Sequence, residues 1–298
     1  MKNFLTLILI VSGIAACSTL GVNLPSITEG ATTDRLPGKI VWRDLLTNDP
    51  KGSKRFYGEL FGWQFESVGS AANLGNNSDY TLIRHNGRLI GGMVDTVALN
   101  DRDDISQWII FMSVADVEAE VAAVAAAGGE IVTPPVDLQR RGKLAIIRDV
   151  EGAMFGLLQS RDGDPEDQVP EIGDFLWDEL WTTDVSSAVG LYEEVGQLKA
   201  GAPENAAASS IAETYRVLRS GETPRVGVMP RPLEDLPPVW VTYIRSADPA
   251  AITARVADLG GRVIVEAQPR AVGGEAAFIA GPSGAGIALQ TWPLDQDN

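Results

Sequence analysis

One histidine and one cysteine are all that 298 residues supply, and these two scarcities exclude whole classes of chemistry. Zinc, iron, nickel and manganese are held by imidazole, thiolate and carboxylate donors, and a facial triad needs two histidines. With His85 alone, a histidine-based metal site is excluded by count. Cys17 cannot form a disulfide within the chain, and no second thiol exists for a redox pair. Positive charge is also short: 24 basic against 40 acidic residues give a net charge of −16, which repels phosphate backbones and excludes nucleic acid as the expected partner. No apolar run is long enough to span a bilayer comfortably, the longest near the start being Phe4 to Val11. There is no Gly-x-Ser-x-Gly elbow, and Gly91-Gly92 and Gly128-Gly129 lack the spacing of a dinucleotide loop. No cofactor is implied. A hydrophobic content of 45% with 21% charged residues is ordinary globular composition.

The first residues carry a different pattern. Lys2, the short apolar run to Val11 and Ile14-Ala15-Ala16-Cys17 read as a secretory signal, residues 1–16, whose end resembles a bacterial lipobox. The expectation is an extracytoplasmic protein of the bacterial cell envelope, on the periplasmic side in a Gram-negative cell. It would be anchored to the membrane by acyl chains on Cys17. Residues 17–37, rich in Ser, Thr, Gly and Pro, are expected to form a flexible tether.

The rest is a duplication. Trp108-Ile109-Ile110-Phe111 through Phe155-Gly156-Leu157-Leu158-Gln159 is answered by Trp240-Val241-Thr242-Tyr243 through Ile287-Ala288-Leu289-Gln290. Upstream, Trp42-Arg43-Asp44-Leu45-Leu46-Thr47 and Trp177-Asp178-Glu179-Leu180-Trp181-Thr182 each precede a helix entered at Asp49 or Asp184, where an N-cap belongs. Gly128 and Gly260 fit helix C-terminal caps. The predicted organisation is two modules, 38–160 and 172–294, joined by a linker at 161–171. Each reads as strand, helix, two or three strands, then strand, helix and a closing hairpin.

These motifs, Trp-x-Asp-Leu-x-Thr-x-Asp and Trp-x-Glu-Leu-x-Thr-x-Asp with Phe56-Tyr57, Tyr192 and Leu60-Phe61-Gly62-Trp63, resemble the glyoxalase/bleomycin-resistance/dioxygenase superfamily, also called vicinal oxygen chelate proteins. The similarity is nearest to its tandem glyoxalase-like branch. The resemblance implies an α+β fold of paired βαβββ units, half-open curved sheets around a shared or paired pocket. In metal-dependent members it implies a ligand on the first strand and a Glu on the last strand. Here those positions are Trp42, Trp177, Gly156 and Ala288, so no metal is expected.

Period-two alternation puts Asp44 and Leu46 on the same strand face as Trp42, and Glu179 and Trp181 on that of Trp177. Leu45 and Leu180 then face the helices. The candidate lining is Trp42, Leu46, Trp177 and Trp181, with Met154 and Leu158 from the closing strand. Asp44 and Glu179 are the candidate acid and base, facing each other if the pocket is shared. The same carboxylates equally suit structural hydrogen bonds to nearby arginines, and the tryptophans equally suit a core. Arg140-Arg141 with Lys143 could reach an anion from a loop or form a solvated turn. His85 is expected at an exposed turn. Three functions stay open: binding of a small organic molecule, a metal-independent lyase or isomerase, and a non-catalytic envelope protein that contacts a partner.

Overall fold

The computed structural model describes residues 24–30, 32–68, 80–97, 105–203, 214–270 and 273–291. The first module contains β1 (Ile40–Thr47), α1 (Pro50–Phe61), β2 (Gln64–Val68), β3 (Tyr80–His85), β4 (Arg88–Asp95), β5 (Gln107–Ser113), α2 (Val117–Ala126), β6 (Glu130–Asp137), β7 (Gly142–Arg148) and β8 (Met154–Ser160). The second repeats the order with β9 (Phe175–Thr182), α3 (Val185–Val195), β10 (Lys199–Gly201), β11 (Arg216–Ser220), β12 (Thr223–Pro230), β13 (Val239–Arg245), α4 (Pro249–Val256), β14 (Arg262–Pro269), β15 (Glu275–Ala280) and β16 (Gly286–Gln290). Each module is one eight-stranded sheet, ordered β2-β3-β4-β1-β5-β8-β7-β6 and β10-β11-β12-β9-β13-β16-β15-β14. Two βαβββ units are joined where β1 meets β5 antiparallel, and β9 meets β13 likewise. The α+β class and the tandem arrangement agree with the sequence reading.

The helices start where the sequence places them. Asp49 accepts from the Gly52 amide, with Pro50 at the first helical position, and Asp184 accepts from the amides of Ser186 and Ser187. Both carboxylates satisfy donors that a helix start leaves open. Gly128 and Gly260 adopt φ of +96° and +88° after α2 and α4, the left-handed geometry that stops a helix at little cost in glycine.

Packing departs from a single shared pocket. Leu45, Tyr57, Trp63 and Trp108 of the first module share a buried cluster with Ile244, Val256, Ile279 and Leu289 of the second. Ile110, Val121, Ile147 and Phe155 share another with Leu180, Leu191, Tyr192, Val228 and Trp240. The helix-bearing faces of the two sheets therefore pack on each other, and each module completes its core with the other. The opposite faces collect Trp42, Leu46, Leu144 and Leu158 in one cluster and Trp181, Tyr243, Phe278 and Ala288 in a second. The two open faces are separate, so Asp44 and Glu179 do not face each other.

Arg43 and Asp178, each the middle residue of its Trp-x-acid motif, form an ion pair between modules. Arg43 Nε donates to Asp178 Oδ1 at 3.1 Å and Nη2 to Oδ2, while Thr242 donates to Oδ1 at 2.7 Å. The Arg43 guanidinium also lies 4.7 Å from the Phe175 ring centroid.

The described residues of the 17–37 segment, 24–30 and 32–37, and the segment 161–171 make contacts with the first module. From Leu24 onward the chain packs on the open face of the first sheet: Leu24 and Ile27 are buried beside Trp42 and Leu158. Asp164, within the linker, is buried and accepts from the hydroxyls of Ser113 and Ser160 and from the Leu36 amide at 2.7 Å. Polar composition suggested freedom, but these polar groups bond to one another and to backbone. The signal segment and Cys17 lie outside the described residues. Among the described residues, no helix is long and apolar enough to cross a membrane.

Candidate functional site

Each open face carries a carboxylate with a Trp, a Tyr and an Arg close by, and the second adds a further Tyr and Trp. In the second module Glu179, fully buried on β9, accepts from Tyr215 Oη at 2.7 Å, Tyr243 Oη at 2.5 Å, Arg270 Nη2 at 2.8 Å and Trp181 Nε1 at 3.4 Å. Trp177 Nε1 donates to Tyr215 Oη at 3.0 Å. Arg270 lies 4.9 Å from the Tyr243 ring centroid and also donates to Gln290. Burial, then the Glu179 charge, raises both tyrosine hydroxyls well above their usual range, so they stay protonated and donate. A carboxylate offers about four acceptor sites, and all are engaged. Four donors thereby hold Glu179 in place.

In the first module Asp44 Oδ1 accepts from Tyr80 Oη at 2.6 Å and Trp42 Nε1 at 2.8 Å. The Arg141 guanidinium lies 4.1 Å from the centroid of the Trp42 ring. Burial pushes the Asp44 carboxyl up, opposed by the Arg141 charge and by the hydrogen bonds from Tyr80 and Trp42.

Both groups depend on a glycine in the neighbouring strand. Gly92 pairs with Asp44 and Gly227 with Glu179. A Cβ on Gly92 would stand 1.9 Å from Tyr80 Oη, and one on Gly227 would stand 2.2 Å from Tyr215 Oη. Gly92 of the 91–92 pair thus serves close packing of a tyrosine and a carboxylate, while a Cβ on Gly91 would meet the Arg43 carbonyl at 2.7 Å.

The candidate residues are divided between the two faces. Trp42, Asp44, Leu46, Met154 and Leu158 come together on the first sheet, and Trp177, Glu179 and Trp181 on the second. Trp42 is 2% exposed beneath Leu24 and Ile27, whereas Trp177 is only half-buried, among partly buried Leu176, Met229, Leu236, Ile264 and Val265. His85, expected at an exposed turn, is buried at the end of β3 with Nδ1 2.6 Å from Asp174 Oδ1, and Arg88 also pairs with Asp174. Its partner lies 89 residues away, beyond the reach of local reading. Of the Arg140, Arg141 and Lys143 cluster only Arg141 reaches a site; Lys143 pairs with Glu118 at the surface.

Tyr80, Tyr215, Tyr243 and Arg270 were not among the sequence candidates. Tyr80 and Tyr215 had a signal, each standing 36 residues after its carboxylate, whereas Tyr243 stands 64 after Glu179. Arg141 and Arg270 had none between copies, because one precedes β7 and the other follows β14.

The metal positions of the superfamily can be tested on this donor set. Trp42 pairs with Phe111 and Phe111 with Gly156; Trp177 pairs with Tyr243 and Tyr243 with Ala288. The Phe111 ring fills the space over Gly156, since a Cβ there would lie 2.1 Å from it. Indole, phenyl and methyl groups donate nothing to a cation, and the Tyr243 hydroxyl is committed to Glu179. The residues do not fit the metal.

The sequence profile of the Glyoxalase/Bleomycin resistance protein/Dioxygenase superfamily matches residues 39–157. The protein named "Putative glyoxylase CFP32" of Mycobacterium tuberculosis is 31% identical over 244 residues, 82% of this chain and 91% of its own length. "Anthracycline biosynthesis protein DauV" of a Streptomyces species is 28% identical over 269 residues, 85% and 93% of the two chains. Among solved structures, the Mn(II)-bound glyoxalase from Novosphingobium aromaticivorans superposes with a TM-score of 0.55 at 15% identity, covering 86% of this chain and 82% of that one. A catechol 2,3-dioxygenase superposes at 0.53 with 14% identity, covering 88% and 96%. The duplicated motifs, the two sheets of paired βαβββ units and a relative matched along nearly its whole length place the chain in the glyoxalase/bleomycin-resistance/dioxygenase superfamily.

Proposed function

We propose that this is a lipid-anchored envelope protein that binds a small, uncharged organic molecule on the open face of its second module, without a metal. The observation that carries the reading is the difference between the two faces. Trp42 is covered, while Trp177 keeps exposed surface among apolar neighbours around a fixed polar group. Small-molecule sites share that character, mostly apolar with a few positioned polar groups. Arg270 and Glu179 neutralise each other there, which favours a ligand bearing a hydroxyl or carbonyl over an ionic one. A metal-independent enzyme using Asp44 or Glu179 as base receives less support, because the Glu179 lone pairs are all in use. The anchoring rests on Cys17 and its flanking sequence.

Titration with 1-naphthol, followed by fluorescence, tests the binding claim. Replacing Trp177 by Ala is expected to weaken binding about tenfold, the loss of one buried aromatic contact, in a variant that circular dichroism shows to be folded at the titration temperature. Equal affinity in the variant would sink the assignment. For the anchor, Cys17→Ser should move the protein from the membrane to the soluble fraction or leave it unprocessed. A processed variant that stays on membranes would contradict it.

A further inference from the structure

The geometry points to a second ligand site, on the first module, for an apolar molecule ending in a carboxylate. The chain's own residues 24–28 cover it. We infer that this segment is a displaceable strap. Three observations support this.

The first is the guanidinium of Arg141, 3% exposed and stacked on Trp42. Its Nη1 reaches Tyr80 Oη at 3.4 Å and its Nε donates to the Pro25 carbonyl at 2.8 Å, while its buried Nη2 has no hydrogen-bond partner among the described residues. Nε and Nη2 share one edge of the guanidinium, the edge that takes both oxygens of a carboxylate in parallel. Arg43 uses the same two atoms on the two oxygens of Asp178 in this protein. In Arg141 that edge is half used, and the occupant is a strap carbonyl.

The second is the lining. Trp42, Leu46, Leu144, Ile146 and Leu158 form an apolar bowl next to Arg141, and Leu24 and Ile27 of the strap are the side chains that fill it. A bowl filled by two aliphatic side chains, beside a fork holding one carbonyl oxygen, matches a ligand with an aliphatic or aromatic body and a carboxylate head.

The third is how few contacts hold residues 24–28 among the described residues. They join no strand. Beyond the two apolar side chains and the Pro25 carbonyl, Thr28 Oγ1 donates to the Gly163 carbonyl, and the neighbouring Glu29 pairs with Arg84 in a largely exposed bridge. Residues 32–36 are tied more firmly, through Asp162 and Asp164. The strap can therefore swing on a fixed base while the sheet stays closed.

Calorimetric titration with octanoate and with 1-octanol, on the full mature chain, tests the proposal. The L24S/I27S variant, with its strap released, is expected to bind octanoate about tenfold more tightly than the unaltered chain. Adding R141Q should remove that gain for octanoate and leave octanol binding unchanged. On the unaltered chain, saturating octanoate should speed amide exchange at residues 26–29. Four results would overturn the proposal: unfolding of L24S/I27S, which would make the segment core; no gain in that variant; equal loss of both ligands in the Arg141 variant; or unchanged exchange at the strap.

Discussion

Glu179 shows how little of a side chain's role follows from its type. A carboxylate in a pocket of a superfamily rich in enzymes suggests acid or base chemistry, yet four donors consume its acceptor sites, and it positions Arg270, Tyr215 and Tyr243. The Arg43–Asp178 pair acts at the same scale between modules. A buried pair that loses one partner leaves an uncompensated charge, at a cost of about 3–5 kcal/mol. Asp178→Ala is accordingly expected to lower stability by about that amount in urea unfolding, and adding Arg43→Met should recover part of it, by about 1 kcal/mol or more. A loss below about 0.5 kcal/mol, the range of an exposed pair, would show that the contact is not buried in solution. Strand alternation made Trp42, Asp44, Trp177 and Glu179 legible because the period needs only local sequence. Arg141 was legible only as one of a basic loop cluster, and Arg270 and the His85 partner were not legible at all, since loop direction and contacts across 89 residues leave no periodic mark.

At the scale of elements, β1 and β9 behaved as their pattern dictated, with Leu45 and Leu180 toward the helices and Trp42 and Trp181 away from them. In residues 24–28 and 161–171, composition reports solubility and not whether Leu24, Ile27 or Asp164 finds a partner. Helices α2 and α3 meet between the modules and bring Glu120 toward Glu194. Burial, then the charges of Glu194 and Asp116, pushes the Glu120 carboxyl up to about 7 from an ordinary 4.5. The folded state thus holds this proton more tightly than the unfolded chain, and stability falls as pH rises from about 4.5 through 7. Glu120→Gln removes the titration. It should raise stability at pH 8, by about 0.5 kcal/mol for a partly exposed group, and change little at pH 4. Thermal unfolding at the two pH values would show it, and an equal effect at both would contradict the linkage.

For the whole molecule, the duplication explains why the modules depend on each other. Each sheet leaves its helix-bearing face, with Tyr57 and Trp108 or Tyr192 and Trp240, to be covered by the other. A fragment of residues 38–160 exposes that face and is expected to be unfolded or self-associated, judged by amide dispersion and sedimentation. A monomeric, well-dispersed fragment would show that the modules are autonomous. The same division leaves two outward faces free to diverge, one covered by the strap and one retaining Trp177.

The central claim is that this second face takes an uncharged ligand without a metal. It is tested most directly by following the indole N–H signals of the seven tryptophans by NMR, in EDTA, during titration with 1-naphthol. The account predicts saturable shifts of the Trp177 and Trp181 signals, with Trp42 unmoved, and no change on replacing EDTA by excess Mn²⁺. Shifts that need the metal, or that leave Trp177 and Trp181 untouched, would contradict it.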